Sequence, residues 1–163
     1  MHKAHQHSGT SMKLVILAVG KGRSSPEQGL VQTWLSRIPS GASVIEIESK
    51  ITSGAGRSED EGARLLRHLP AGAPLVVCDP RGRDTSSEAL ASLLGEWRDE
   101  GQSTAYFAIG GADGHSPALI QRAAYCIAFG SATWPHMLFR AMLAEQLYRA
   151  TSILAGHPYH RGG

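Results

Sequence analysis

Short, almost wholly apolar runs alternate along this chain with longer stretches of helical patterning, and that alternation constrains its fold more than any other feature. The runs are Lys13–Val19, Ser43–Glu48, Pro74–Cys78, Thr104–Ile109 and Tyr125–Phe129. A strand that is apolar throughout must be covered on both faces, which a parallel sheet flanked by helices provides. The expectation is an α/β fold with about five strands. At 163 residues the chain has room for one domain and not two. Hydrophobic residues make up 42% and charged residues 18%, the latter below the usual ~25%, so much surface is expected to be buried in a core or a subunit interface. No apolar run approaches the ~20 residues that span a bilayer and no signal-peptide pattern is present, so the expectation is a soluble, cytoplasmic protein without a membrane partner.

Local signals set the expected helix limits. Ser25-Pro26-Glu27-Gln28 combines an N-cap serine with proline at the first helical position, predicting a helix from Pro26 to about Arg37. Ser49–Arg57 reads as a mobile loop, after which the capping box Ser58-x-x-Glu61 opens a helix to about His68. Asp79-Pro80-Arg81-Gly82 is turn chemistry, and Thr85-x-x-Glu88 caps a third helix to about Glu100. A short helix is expected from Pro117 and a long one from His136 to about Ala155. This last helix carries Met137, Leu138, Phe139, Met142, Leu143, Leu147, Ile153 and Leu154, apolar on nearly every side, and one sheet face does not bury all of it. A homodimer built around it is expected. Residues 1–11, with His2, His5 and His7, are expected to be a disordered leader or tag, leaving residues 12–163 as the single domain.

Ligands of open α/β sheets sit beyond the carboxyl ends of the strands. There this chain places Asp79-Pro80-Arg81-Gly82, Gly110-Gly111-Ala112-Asp113-Gly114 and Gly130-Ser131-Ala132-Thr133-Trp134-Pro135. Glycines at such ends let backbone approach a ligand without a Cβ in the way. The GxxxxGK[ST] and GxGxxG phosphate loops are both absent, which counts against triphosphates and dinucleotides. Cys78 and Cys126 lack metal-ligand spacing and read as buried free thiols, and no metal site is expected. A net charge of +2 is too small for a protein that coats nucleic acid by charge alone. Its distribution is uneven: from His136 onward the only acidic residue is Glu145, against Arg140, Arg149 and Arg161 and three histidines.

Gly110-Gly-Ala-Asp-Gly114, Thr133-Trp-Pro-His136, Arg140 with Ala144-Glu-Gln-Leu-Tyr-Arg-Ala150, and His157-Pro-Tyr-His-Arg161 resemble, in order and spacing, the RlmH family of ribosomal RNA large-subunit methyltransferases. The likeness runs over Met12–Arg161. It implies a SPOUT α/β-knot fold, a trefoil-knotted and largely parallel sheet in a homodimer. It also implies transfer of a methyl group from S-adenosylmethionine to N3 of a pseudouridine in 23S rRNA of the assembled ribosome. The cofactor positions it implies are Cys78, Gly110, Phe129, Gly130, Ser131, Ala132, Thr133 and Trp134. The catalytic positions are His136, Glu145, Arg149, Tyr159, His160 and Arg161. Trp134 stands where the family usually has Leu or Phe, and Gly130 where it often has serine. Among these residues His136 is a candidate base, Tyr159 or His160 a partner for the uracil ring and Arg161 a partner for phosphate or developing enolate charge. Glu145 and Arg149 are four apart on one helix, so an ion pair that orients the tail stands beside direct contact. The tail itself is expected to order only when RNA arrives. A non-catalytic dimeric RNA- or ribosome-binding module on the same scaffold is the alternative. A metal-dependent hydrolase using the C-terminal histidines lacks a carboxylate cluster.

Overall fold

The computed structural model describes residues 11–162, so the leader expected over residues 1–11 lies, Ser11 apart, outside the described residues. In chain order the elements are β1 (Lys13–Val19), α1 (Pro26–Ser36), β2 (Ala42–Ile47), α2 (Ala55–Leu66), β3 (Leu75–Asp84), α3 (Ser87–Asp99), β4 (Thr104–Ile109), α4 (Pro117–Arg122), β5 (Tyr125–Ala128) and α5 (His136–Leu154). A 3-10 helix, Pro158–Gly162, follows. The five strands form one sheet in the order β2-β1-β4-β3-β5, and every neighbouring pair is parallel.

Side-chain alternation along the central strands divides the interior in two. Leu14, Ile16 and Ala18 of β1 point to one face with Phe107 of β4, where Val31, Leu35, Leu90, Leu94, Leu143 and Leu147 of α1, α3 and α5 cover them. Leu17 and Val19 point to the other face, packed with Leu65 of α2 and Leu119 of α4. Three layers result, as the apolar strands require. Serine caps set three helix starts: Ser25, Ser86 and Ser116 accept bonds from the amides of Gln28, Ala89 and Leu119. No helix among the described residues is long and apolar enough to cross a membrane.

Four local expectations are corrected. α2 begins at Ala55, not after Ser58, with Gly54 at φ +87° as its N-cap. Ser58 donates to the Ala55 carbonyl, and Glu61 pairs with Arg57 one turn earlier, a contact that exists only if the helix has already started. α3 is capped by Ser86, because the Thr85 hydroxyl is spent on the Arg83 carbonyl. Residues 79–82 do turn, but as a bulge inside β3: Cys78 and Arg83 both register with Ile127, and the strand resumes beyond. Finally, Leu143 and Leu147 of α5 are fully buried within the single chain, against α1 and α3, so they leave no apolar surface for a partner. The exposed apolar residues on this side are Leu138 and, on α1, Leu30.

Candidate cofactor cavity and polar tail cluster

Where β3, β4 and β5 end, their loops and the first turn of α5 enclose a cavity of about 460 Å³. Of the expected cofactor positions, Cys78, Gly110, Phe129, Gly130, Ala132, Thr133 and Trp134 line it, and Ser131 does not. Asp79 and Pro80, from the loop expected at the ligand-facing end of β3, line it too, as do His115 after the glycine turn and Phe139 of α5, which sequence reasoning missed.

The loops are held in place by their own chemistry. The glycine turn closes on itself through the Gly114 amide and the Gly111 carbonyl, 3.1 Å apart. A Cβ on Gly110 would stand 3.1 Å from the His115 ring. In the β5–α5 loop Gly130 has φ +81°, a conformation that favours glycine. Its amide donates to Asp84 at 2.9 Å. The Trp134 indole N–H donates to the Phe129 carbonyl at 3.1 Å, bracing the loop that it closes. Phe129 and Phe139 stack at 5.3 Å to form an aromatic wall. Burial pushes the Cys78 thiol far up, so it is a neutral wall group and no nucleophile.

Two histidines face the cavity with assignable protons. The Cys78 carbonyl only accepts, so His115 Nε2–H donates to it at 2.9 Å. Burial holds the His115 ring below the ordinary histidine value. Burial, and then the charge of Arg140, lower His136 in the same way. His136 Nδ1 lies 3.1 Å from the Gly110 carbonyl and Nε2 lies 2.9 Å from Arg140 Nη2.

Of the remaining expected catalytic residues, Glu145, Arg149, Tyr159 and His160 form a second cluster, and neither they nor Arg161 line the cavity. Glu145 is its hub: Oε1 accepts from Arg149 Nε and Nη2, at 3.0 and 2.7 Å, and from the Tyr159 hydroxyl at 2.9 Å. Arg149 also lies over the Tyr159 ring, 4.8 Å from its centroid. His160 Nδ1 faces Arg149 at 3.1 Å and Nε2 faces Glu88 at 2.7 Å, so its proton is on Nε2. Burial and then the bond to Glu145 raise the Tyr159 phenol, which stays protonated and donating. Tyr159 packs on Tyr148 and Trp34, with centroids 4.9 and 5.8 Å away. The tail forms the 3-10 helix Pro158–Gly162 against α5, with Arg161 exposed near its end.

The volume falls in the ~300–1,000 Å³ range of small-molecule sites, and apolar walls with backbone polar groups suit a nucleoside-bearing cofactor. The described residues contain no group of three His, Cys, Asp or Glu able to hold a metal.

A family model described as a predicted SPOUT methyltransferase matches residues 12–160. The protein named ribosomal RNA large subunit methyltransferase H from Nitrobacter hamburgensis is 45% identical over 160 residues, covering 93% of this chain and all of that one. Its namesake from Paramagnetospirillum magneticum is 48% identical over 151 residues, covering 92% and 99%. A solved SpoU methyltransferase, AviRb from Streptomyces viridochromogenes in complex with AdoMet, aligns at a TM-score of 0.46 and 12% identity. That alignment covers 89% of this chain and 59% of that one, a likeness too distant to bear on function.

Proposed function

We propose, starting from the fact that this chain belongs to the SPOUT methyltransferase family, that it transfers a methyl group from S-adenosylmethionine to N3 of a pseudouridine in 23S rRNA. The observation that carries the reading is one of coincidence in space. Two of the stretches through which the chain resembles ribosomal RNA large-subunit methyltransferases, Gly110–Gly114 and Thr133–His136, supply walls of the cavity. The SPOUT fold accounts for the parallel sheet, and the trefoil knot belongs to the same proposal.

When bound, the cofactor supplies an electrophilic methyl group on a sulfonium. The chain's own residues do the rest. Backbone groups of Cys78, Gly110 and the Phe129–Trp134 loop hold the cofactor, and the aromatic wall of Phe129 and Phe139 keeps water from it. Methylating N3 requires that its proton leave and that the flanking carbonyls be held. The Glu145 hub presents a phenol, an imidazole and a guanidinium as N–H and O–H donors for those carbonyls, and the N3 proton passes to water. Arg161, exposed, is placed to meet a phosphate.

No residue of the tail cluster lines the cavity of its own chain, which supports a homodimer in which a second copy's tail is brought to this cavity. The net charge of +2 seats few phosphates. For that reason the substrate is proposed to be the assembled ribosome in the cytoplasm, whose own surfaces orient the enzyme. Calorimetry with S-adenosylmethionine tests the first half of the proposal. Binding without metal is expected. A dimer that binds ribosomes but shows no heat with the cofactor is the RNA-binding module of the alternative reading.

A further inference from the structure

His136 lines the cavity and is the residue that sequence reasoning marked as a candidate base, yet both of its ring nitrogens are already spent on the protein. An arginine guanidinium carries donors only. The 2.9 Å contact from Arg140 Nη2 therefore occupies the lone pair of His136 Nε2, and the ring proton must sit on Nδ1, donated to the Gly110 carbonyl at 3.1 Å.

Arg140 is itself fixed. It is 3% exposed, it donates through Nη1 to Glu46 of β2, and Nη2 reaches the Gly20 carbonyl after β1 at 3.2 Å. The same Glu46 oxygen takes the Gly22 amide at 2.6 Å. A Cβ on Gly22 would lie 2.8 Å from Met137 Cε and 3.1 Å from Arg140 Nη1, so the loop after β1 closes directly over the guanidinium. β2, β1 and β4 are neighbours in the sheet. One chain of bonds, Glu46 to Arg140 to His136 to Gly110, with only the arginine fully buried, thus ties the carboxyl ends of three adjacent strands to the first turn of α5.

We infer that His136 is a positioning residue: it fixes the Gly110 carbonyl, and with it the glycine turn, from a ring held in the Nδ1–H tautomer by Arg140 and Glu46. This rests on the reading of the cavity as the cofactor site. The turn carries the backbone that a bound cofactor meets. Without the ring, Gly110 is held on one side only, and the cost falls on cofactor affinity more than on the transfer step.

Two measurements on the full-length protein test this. A long-range proton–nitrogen NMR spectrum of histidine-labelled protein should give His136 a protonated Nδ1 and a bare Nε2 at neutral pH. The opposite tautomer, or an imidazolium at that pH, would overturn the inference. Calorimetry and steady-state kinetics supply the second measurement. His136→Ala should weaken S-adenosylmethionine binding by about tenfold or more while kcat at saturating cofactor, and its pH profile, change little. In His136→Asn the amide N–H takes the place of Nδ1–H, so affinity should largely return. If both variants bind the cofactor as the wild type does, His136 does not position the turn. If they also lose kcat together with one limb of the pH profile, His136 is a base. Absence of binding in the wild-type protein would instead remove the cofactor reading, and the inference with it.

Discussion

The His115 side chain couples the cavity to pH. Its ring is neutral in the folded protein because burial opposes the charge, and it donates from Nε2 to the Cys78 carbonyl. The unfolded chain titrates near the ordinary value of 6.5, while the folded value lies below it. Above 6.5 the ring is neutral in both states and no stability is lost. As the pH falls from there toward the folded value, the unfolded chain takes up a proton that the folded chain refuses, and stability declines. His136 adds to the same trend. In His115→Gln an amide N–H replaces Nε2–H, so the variant should lose less thermal stability than the wild type between about pH 7.5 and about pH 5.5. Equal slopes in the two proteins would mean that the ring is not buried neutral. At this scale the sequence was partly legible. Glycines at strand ends announced a ligand-facing turn because missing side chains leave a mark in composition. His115 escaped notice because a lone histidine beside a glycine turn has no spacing to another group. Its role comes from a carbonyl 37 positions away in the chain.

Among the elements, β3 departs most from what its residues advertise. Asp79-Pro80-Arg81-Gly82 was legible as a turn, and the Asp79 carboxylate does accept the Arg81 amide at 2.8 Å. That the strand resumes after it depends on pairing with β5, a long-range contact with no local signature. Gly82 carries this arrangement, since a Cβ there would lie 2.6 Å from the Ile127 backbone. Backbone yields less readily than a side chain, so Gly82→Ala should destabilise the protein by about 1–3 kcal/mol or more, read from chemical denaturation. A neutral result would place the bulge further from β5. In α5 the apolar residues were legible and their assignment to surface or core was not. A helix apolar all round serves two partners, and sequence does not say whether both lie in the same chain. Here α1 and α3 take Leu143 and Leu147, so Leu143→Ala should cost about 2–5 kcal/mol in the same assay, whatever the oligomeric state. A loss below 1 kcal/mol would mean that α5 packs elsewhere.

The whole molecule combines a cavity built by strand ends with a polar cluster built by α5 and the tail, and the proposed dimer brings the two together. Leu30 and Leu138 are 49% and 38% exposed, a cost for which a second copy is the proposed relief. Sedimentation should find a dimer at micromolar concentration, and a Leu30→Glu, Leu138→Glu double variant should be a folded monomer. A dimer that survives both changes would place the interface on another face. Removing residues 158–163 should lower thermal stability slightly, as Tyr159 leaves Trp34 and Tyr148. Cofactor binding should stay within about twofold of the wild type while methyl transfer falls by about a hundredfold or more. The central claim meets its most direct test in transfer of labelled methyl from S-adenosylmethionine to ribosomes that carry the pseudouridine unmethylated. The expected result is label in 23S rRNA, approaching one methyl per ribosome, at N3 of that base. Label elsewhere, or cofactor binding with no transfer to any ribosomal RNA, would contradict it.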